Sequence, residues 1–171
     1  MAVDGFRFLD AASRKVMRAW QGRESDPSAS PIPWARIEPG KTLRDLRVAL
    51  ISSAGIALAA DTPFDQEGER QDPWWGDPTH RVLPREAKTA DCRIYHMHVD
   101  PRPATRDLDC MMPLRRLDEL VVAGVVGSSA PDHYSIMGYI LEPTVLIRQT
   151  APRIADALVR DQVDLALLVP V

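Results

Sequence analysis

The densest grouping of reactive side chains in this chain is the run His96-Met97-His98-Val99-Asp100-Pro101-Arg102. On a β-strand, positions 96, 98 and 100 face the same way, so two imidazoles and a carboxylate can converge there on a substrate, an anion or a divalent metal. No third His or Cys is placed to complete a metal site, which favours a polar face turned toward substrate. Arg102 suits a substrate carboxylate through its planar, two-donor fork. His133 lies in a second polar group, Ser128-Ser129-Ala130-Pro131-Asp132-His133-Tyr134-Ser135. At the carboxyl end of a strand, an imidazole with an ordinary pKa of about 6.5 can act as acid, base or carboxylate binder, or bond a loop. Tyr134 and Ser135 beside it, and Ser53 and Gly55 in Ser52-Ser53-Ala54-Gly55, are candidate substrate contacts. The loops at Gly55 and Gly127 are small enough to admit a phosphate. Neither matches a nucleotide-binding fingerprint, so both read first as turns.

An α/β framework must hold these residues. Leu46 to Ile51 is β-branched and apolar, then breaks into the small-residue loop, as a first parallel strand does. Residues 94 to 99 read as a second strand. Pro113 opens a helix with Leu114, Leu117, Leu120 and Val121 on one stripe and Gly124 just past its end. Val125 to Ala130 reads as a short strand that delivers the His133 loop. Another helix starts near Ala151, with Thr150 as its N-cap and Ala151, Ile154, Ala155, Leu158 and Val159 as its buried face. The last nine residues, Val163 to Val171, read as a buried parallel strand. This alternation predicts a doubly wound, mostly parallel α/β sheet in three layers, Rossmann-like or flavodoxin-like, incomplete at its C-terminus. Ahead of it, Phe6, Leu9, Val16, Met17 and Trp20 mark an amphipathic helix, and 21–33 is a Pro- and Ser-rich connector. The expected division is therefore 1–33 and 34–171. Residues 61–91, crossed by Trp74 and Trp75, read as a long flap.

With 171 residues, one domain is expected, and a net charge of −3 with 18 Arg and 3 Lys scattered among carboxylates argues against a nucleic-acid groove. No apolar stretch approaches ~20 residues and no signal pattern opens the chain, so a cytoplasmic protein without a membrane partner is expected. Cys92 and Cys110 form neither a redox pair nor a zinc motif and read as plain thiols.

Several of these stretches recur in one order elsewhere: Val48 to Gly55, Trp75-Gly76-Asp77-Pro78, His96 to Pro103, Pro113 to Leu117, His133 to Gly138, and Thr150-Ala151-Pro152. Over residues 34–171 the chain resembles the selenoprotein B family of glycine, sarcosine, betaine and D-proline reductases. In that family the final strand, ending in Pro and a small residue, is followed at once by a selenocysteine or cysteine. The resemblance implies that the nucleophile comes directly after Val171, and that the sequence is a translation cut at a selenocysteine codon. It further implies an oxidoreductase that cleaves a C–N bond of a small amino acid or amine, with a thiol reductant or partner reductase subunits and possible oligomerisation. No cofactor is expected within residues 1–171. A chalcogen at a helix N-terminus just beyond a strand is driven toward its anion, whereas a thiol of ordinary pKa, about 8.5, stays mostly protonated. On residue chemistry, His96, His98 and His133 are the candidates for proton delivery, with Arg102 and Asp100 near the substrate.

Two other readings stand beside this one. The chain could be a non-catalytic module holding a small anion in the Gly55 and Gly127 loops, or a metal-dependent enzyme built on His96, His98 and Asp100.

Overall fold

Arg47–Ser52 forms the central strand, β1, with Val48, Ala49, Leu50 and Ser52 all buried. Such a run, apolar on both faces, is stable only with cover on each side. The computed structural model describes residues 37–71 and 76–171, together with Ala11 and Lys15. The expected helix over 6–20, the connector 21–33, Trp74 and Trp75 lie outside the described residues. The chain divides into Met1–Arg36 and Ile37–Val171, and the second unit is the one described below.

In chain order the unit contains β1, β2 (Ile56–Leu58), α1 (Gln66–Gln71), β3 (His80–Pro84), β4 (Cys92–Ile94), α2 (Arg102–Arg106), α3 (Leu114–Val122), β5 (Ser128–Ser129), β6 (Asp132–Ile136), α4 (Ala151–Arg160) and β7 (Leu165–Val169). β7 runs parallel to β1 from Val48↔Leu165 to Ser52↔Val169. The opposite edge of β1 is shared. β5 pairs with its start, at Arg47↔Ser128 and Val48↔Ser129, and β6 with its end, at Ile51↔Tyr134 and Ser52↔Ser135, both parallel. β3 lies antiparallel outside β6, and β2 and β4 form a separate antiparallel pair. Helices pack on both faces. Leu46, Val48 and Leu50 meet Ala104 of α2, Leu108, Met112, and Leu114 and Leu117 of α3, whereas Tyr134 packs against Ile154 and Ala157 of α4. The fold is thus the expected α/β class with a mostly parallel sheet.

Several local expectations are corrected. The second strand ends at Ile94, and the chain turns at Met97–His98. The stretch 132–136 is a strand, so His133, Tyr134 and Ser135 lie inside the sheet and not in a loop. The supposed flap contains α1 and β3. Thr150 is helical itself, continuing a wider turn over Leu146–Thr150, and its hydroxyl donates to Pro78 O at 2.7 Å instead of capping. In α4 it is Ile154 and Ala157 that are buried, while Val159 is 77% exposed. Pro113 sits just before α3 and not within it, whereas Gly124 does end that helix, at φ +67°. β7 is parallel as expected, but as the outermost strand it is only partly covered: Leu167 is 50% and Leu168 67% exposed.

Arg81 of β3 staples the segment before α1 to the sheet. Its Nε donates to Thr62 O at 2.7 Å, one Nη to Pro63 O at 2.9 Å, and the other to Thr79 Oγ1 at 2.8 Å. The guanidinium also lies 4.2 Å from the Phe64 ring centre. Phe64 in turn packs with Ala57 and Met137, one residue before Gly138. Replacing Arg81 by alanine is expected to cost about 2 kcal/mol, since each of the three bonds, open to solvent, is worth roughly 0.5 kcal/mol net and the contact over the Phe64 ring about as much. Thermal denaturation should show a fall of about 4–8 °C for a chain of this size, and lysine, lacking the fork, should recover little of it.

Candidate functional site

Three strand ends meet at one corner: β1 as it passes into Ser53-Ala54-Gly55, β6 as it passes into Met137-Gly138-Tyr139, and β7 as it reaches Val171. In open α/β sheets the carboxyl ends of parallel strands are where ligands are bound. Gly55 takes φ +62° there, donating its N–H to Ile136 O at 2.9 Å and accepting from Tyr95 N–H at 2.8 Å. A side chain at Gly55 would begin 2.5 Å from Met137 Sδ in a backbone conformation that disfavours one.

His96 enters this corner from the turn after β4. It is buried, and its Nδ1 accepts the His98 N–H at 3.2 Å. A neutral His96 therefore carries its proton on Nε2. Gly138 shows where that nitrogen lies: a Cβ built there would stand 2.7 Å from His96 Nε2, 2.9 Å from Ser53 O and 3.1 Å from Val171 O. His96, Ser53, Gly138 and Val171 thus close on one another so tightly that only a glycine fits. His98 is exposed, its ring 6.0 Å from that of His96 in an edge arrangement and 4.4 Å from that of Tyr139. Of the expected site residues, the structure brings His96, His98, Ser53 and Gly55 together here.

The remaining candidates lie elsewhere. His133 is fully buried in the sheet. Its Nδ1 accepts the Leu50 N–H at 2.9 Å, and its Nε2 is 3.1 Å from Ser129 Oγ. The reason lies in the pairing. Between Val48↔Ser129 and Ile51↔Tyr134 the outer edge carries two extra residues, a bulge at Ala130 and Pro131 that leaves Leu50 without a ladder carbonyl. Burial lowers the His133 pKa to about 4, with Arg85 adding to the effect. Tyr134 is buried toward α4, and Ser135 Oγ accepts the Ile56 N–H at 2.7 Å. Asp100 and Arg102 are exposed and form a bidentate pair at the start of α2. Hydrogen bonds from Arg102 hold the Asp100 carboxyl below its ordinary range.

Asp100 is therefore turned to Arg102, and among the described residues no three of His, Cys, Asp and Glu group as metal ligands do. The amides of the two glycine loops are engaged within the protein, Gly55 with Ile136 O and Gly127 with Leu43 O, which leaves the anion-cradle reading without donors at these two positions. Cys92 is buried, and burial pushes its thiol up to about 11, far from a reactive thiolate. A separate open groove of about 620 Å³, lined by Asp61, Asp77, Thr79, His80 and Arg81, contains none of the corner residues. Among the described residues no helix is long and apolar enough to cross a membrane.

Gly138 was within reach of sequence reasoning only as the end of the His133 to Gly138 stretch. A glycine following a strand hints at a close approach of backbone, but not at what approaches.

No family model matches the chain, and no solved structure matches it. The chain is 29% identical over 153 residues to D-proline reductase subunit gamma of Acetoanaerobium sticklandii, an alignment that takes in 90% of this chain and 59% of the relative. It is a distant homologue of that subunit, and spans under two thirds of the relative's length.

Proposed function

We propose that the chain forms part of a reductase that cleaves a C–N bond of a small amino acid or amine at the expense of thiols, and that its reaction takes place at the corner of Ser53, Gly55, His96, Gly138 and Val171. The observation that carries this reading is the convergence of Ser53 O, Val171 O and His96 Nε2 on Gly138, where the β1, β6 and β7 ends meet. Distant homology to a D-proline reductase subunit supports the reaction class. The substrate, the partner subunits and a selenocysteine or cysteine following Val171 belong to the proposal. That group would supply a polarisable nucleophile and leaving group, with which C–N is replaced by C–H while a thiol reductant is oxidised to a chalcogen–sulfur bond. Two electrons and two protons reach the substrate.

This chain's own residues would then handle the proton and the space. The departing nitrogen carries away the C–N electron pair and needs a proton; His96 would give up its Nε2–H as its Nδ1, released from the His98 amide, takes up another, so that no imidazolate is left. His98, exposed and one ring away, returns the proton from solvent. Gly55 and Gly138 keep the corner free of side chains where the backbones approach.

The full-length protein, purified with whatever subunits accompany it, should consume a dithiol when offered D-proline, glycine, sarcosine or betaine. Release of the reduced product is followed by mass spectrometry. Consumption of one of them, abolished by prior alkylation, is the expected result; no dithiol-dependent reduction of any would sink the reading. The codon after Val171 is a cheaper check: UGA or a cysteine codon supports the proposal, and any other residue or a different stop codon counts against it.

A further inference from the structure

We infer that Ser53 is a positioning residue that fixes the main chain at Val171, and with it the direction in which the chain leaves β7; the inference rests on the function proposed above. The ladder between β1 and β7 ends where Ser53 N–H donates to Val169 O at 3.1 Å. Pro170 follows and has no N–H to continue it. Beyond the proline the hydroxyl of Ser53 takes over: Ser53 Oγ accepts the Val171 N–H at 2.8 Å and reaches back to Val171 O at 3.4 Å. One side chain thus engages both polar backbone groups of Val171.

Ser53 is itself well held. Its carbonyl oxygen lies against Gly138, Ala54 is bridged to Met137, and Gly55 is bonded to Ile136. The clamp therefore ties the tip of β7 to the ends of β1 and β6, beside His96 Nε2. A reacting atom carried by the residue after Val171 would inherit that placement, and a displacement of about 1 Å in such a site can cost on the order of 100-fold in rate. Serine suits the task because its short hydroxyl both accepts and donates.

The test uses the full-length chain with Ser53→Ala and Ser53→Thr. Losing one hydrogen bond worth roughly 1.4 kcal/mol is a factor of about 10, so Val171 amide exchange should quicken about 10-fold in Ser53→Ala. The turnover number should fall by about 10- to 100-fold with KM changed less than about threefold, and Ser53→Thr, which keeps the hydroxyl, should restore most of both. Unchanged amide exchange in Ser53→Ala overturns the clamp. Faster exchange with unchanged turnover overturns its positioning role and leaves the proposed reaction standing. Absence of dithiol-dependent reduction in the unmodified protein fails the reaction instead, while amide exchange still decides the clamp.

Discussion

Replacing His96 by glutamine should lower turnover of the full-length protein by about 10²- to 10⁴-fold, the range that a positioned proton donor contributes. Glutamine is the informative choice because its amide nitrogen can occupy roughly the place of Nε2 and donate a hydrogen bond, yet cannot release a proton at neutral pH. The corner leaves little room for anything larger, since a methyl group at Gly138 would already press on His96 Nε2, Ser53 O and Val171 O. KM should change only a few-fold if His96 acts in the chemical step and not in binding. A glutamine variant that turns over within about threefold of the unmodified protein would remove His96 from the mechanism. His98→Ala, which deletes the outer ring that lies tilted against Tyr139, should produce a smaller loss that external imidazole partly repairs.

The second large effect concerns stability and pH. His133 is buried neutral, and its folded pKa of about 4 lies well below the ordinary 6.5. Between those values the unfolded chain binds a proton that the folded chain refuses. Stability from this group is therefore complete above about pH 6.5 and is lost as pH falls toward about 4, by roughly 3 kcal/mol in all. The cause is burial, with Arg85 adding to it, and protonating Nδ1 would besides set a donor against the Leu50 N–H in the middle of the sheet. His133→Ala should cost about 3–5 kcal/mol at neutral pH, because it opens a cavity and leaves that N–H buried without an acceptor. His133→Asn should be milder, its carbonyl oxygen accepting from Leu50, and should flatten the pH dependence in this window. Urea unfolding at pH 7, 5.5 and 4.5 measures all three proteins; equal slopes with pH in the unmodified and Asn forms would contradict this account.

The behaviour of His133 also marks the limit of what the chain reveals in one dimension. Asp132-His133-Tyr134-Ser135-Ile136 has too many polar groups to read as an interior strand, because its polarity makes sense only beside the donors it satisfies. Those donors, the Leu50 and Ile56 amides, are 83 and 79 residues away. His96 and His98 lie side by side, but not for the reason expected from the sequence. They meet because a tight turn folds the His98 amide onto the His96 ring, and not through alternation along a strand. Asp100 and Arg102 looked like site residues because their types suit a substrate, yet two residues apart at a helix start they satisfy each other.

What the sequence determined by itself was local or periodic: the apolar runs that become β1 and β7, the stripe Leu114 and Leu117 with Gly124 as its stop, and the α/β class that follows from their alternation. These depend on side-chain period and on backbone preferences that act over a few residues. Tertiary structure decided which polar groups face the interior and which face a shared corner. That choice follows from register: Ser52 opposite Val169 brings Ser53 to Val171, and Ser52 opposite Ser135 brings Gly138 to His96. Strand pairing between residues more than 80 positions apart is set by how the whole core closes, and no short window of sequence carries it.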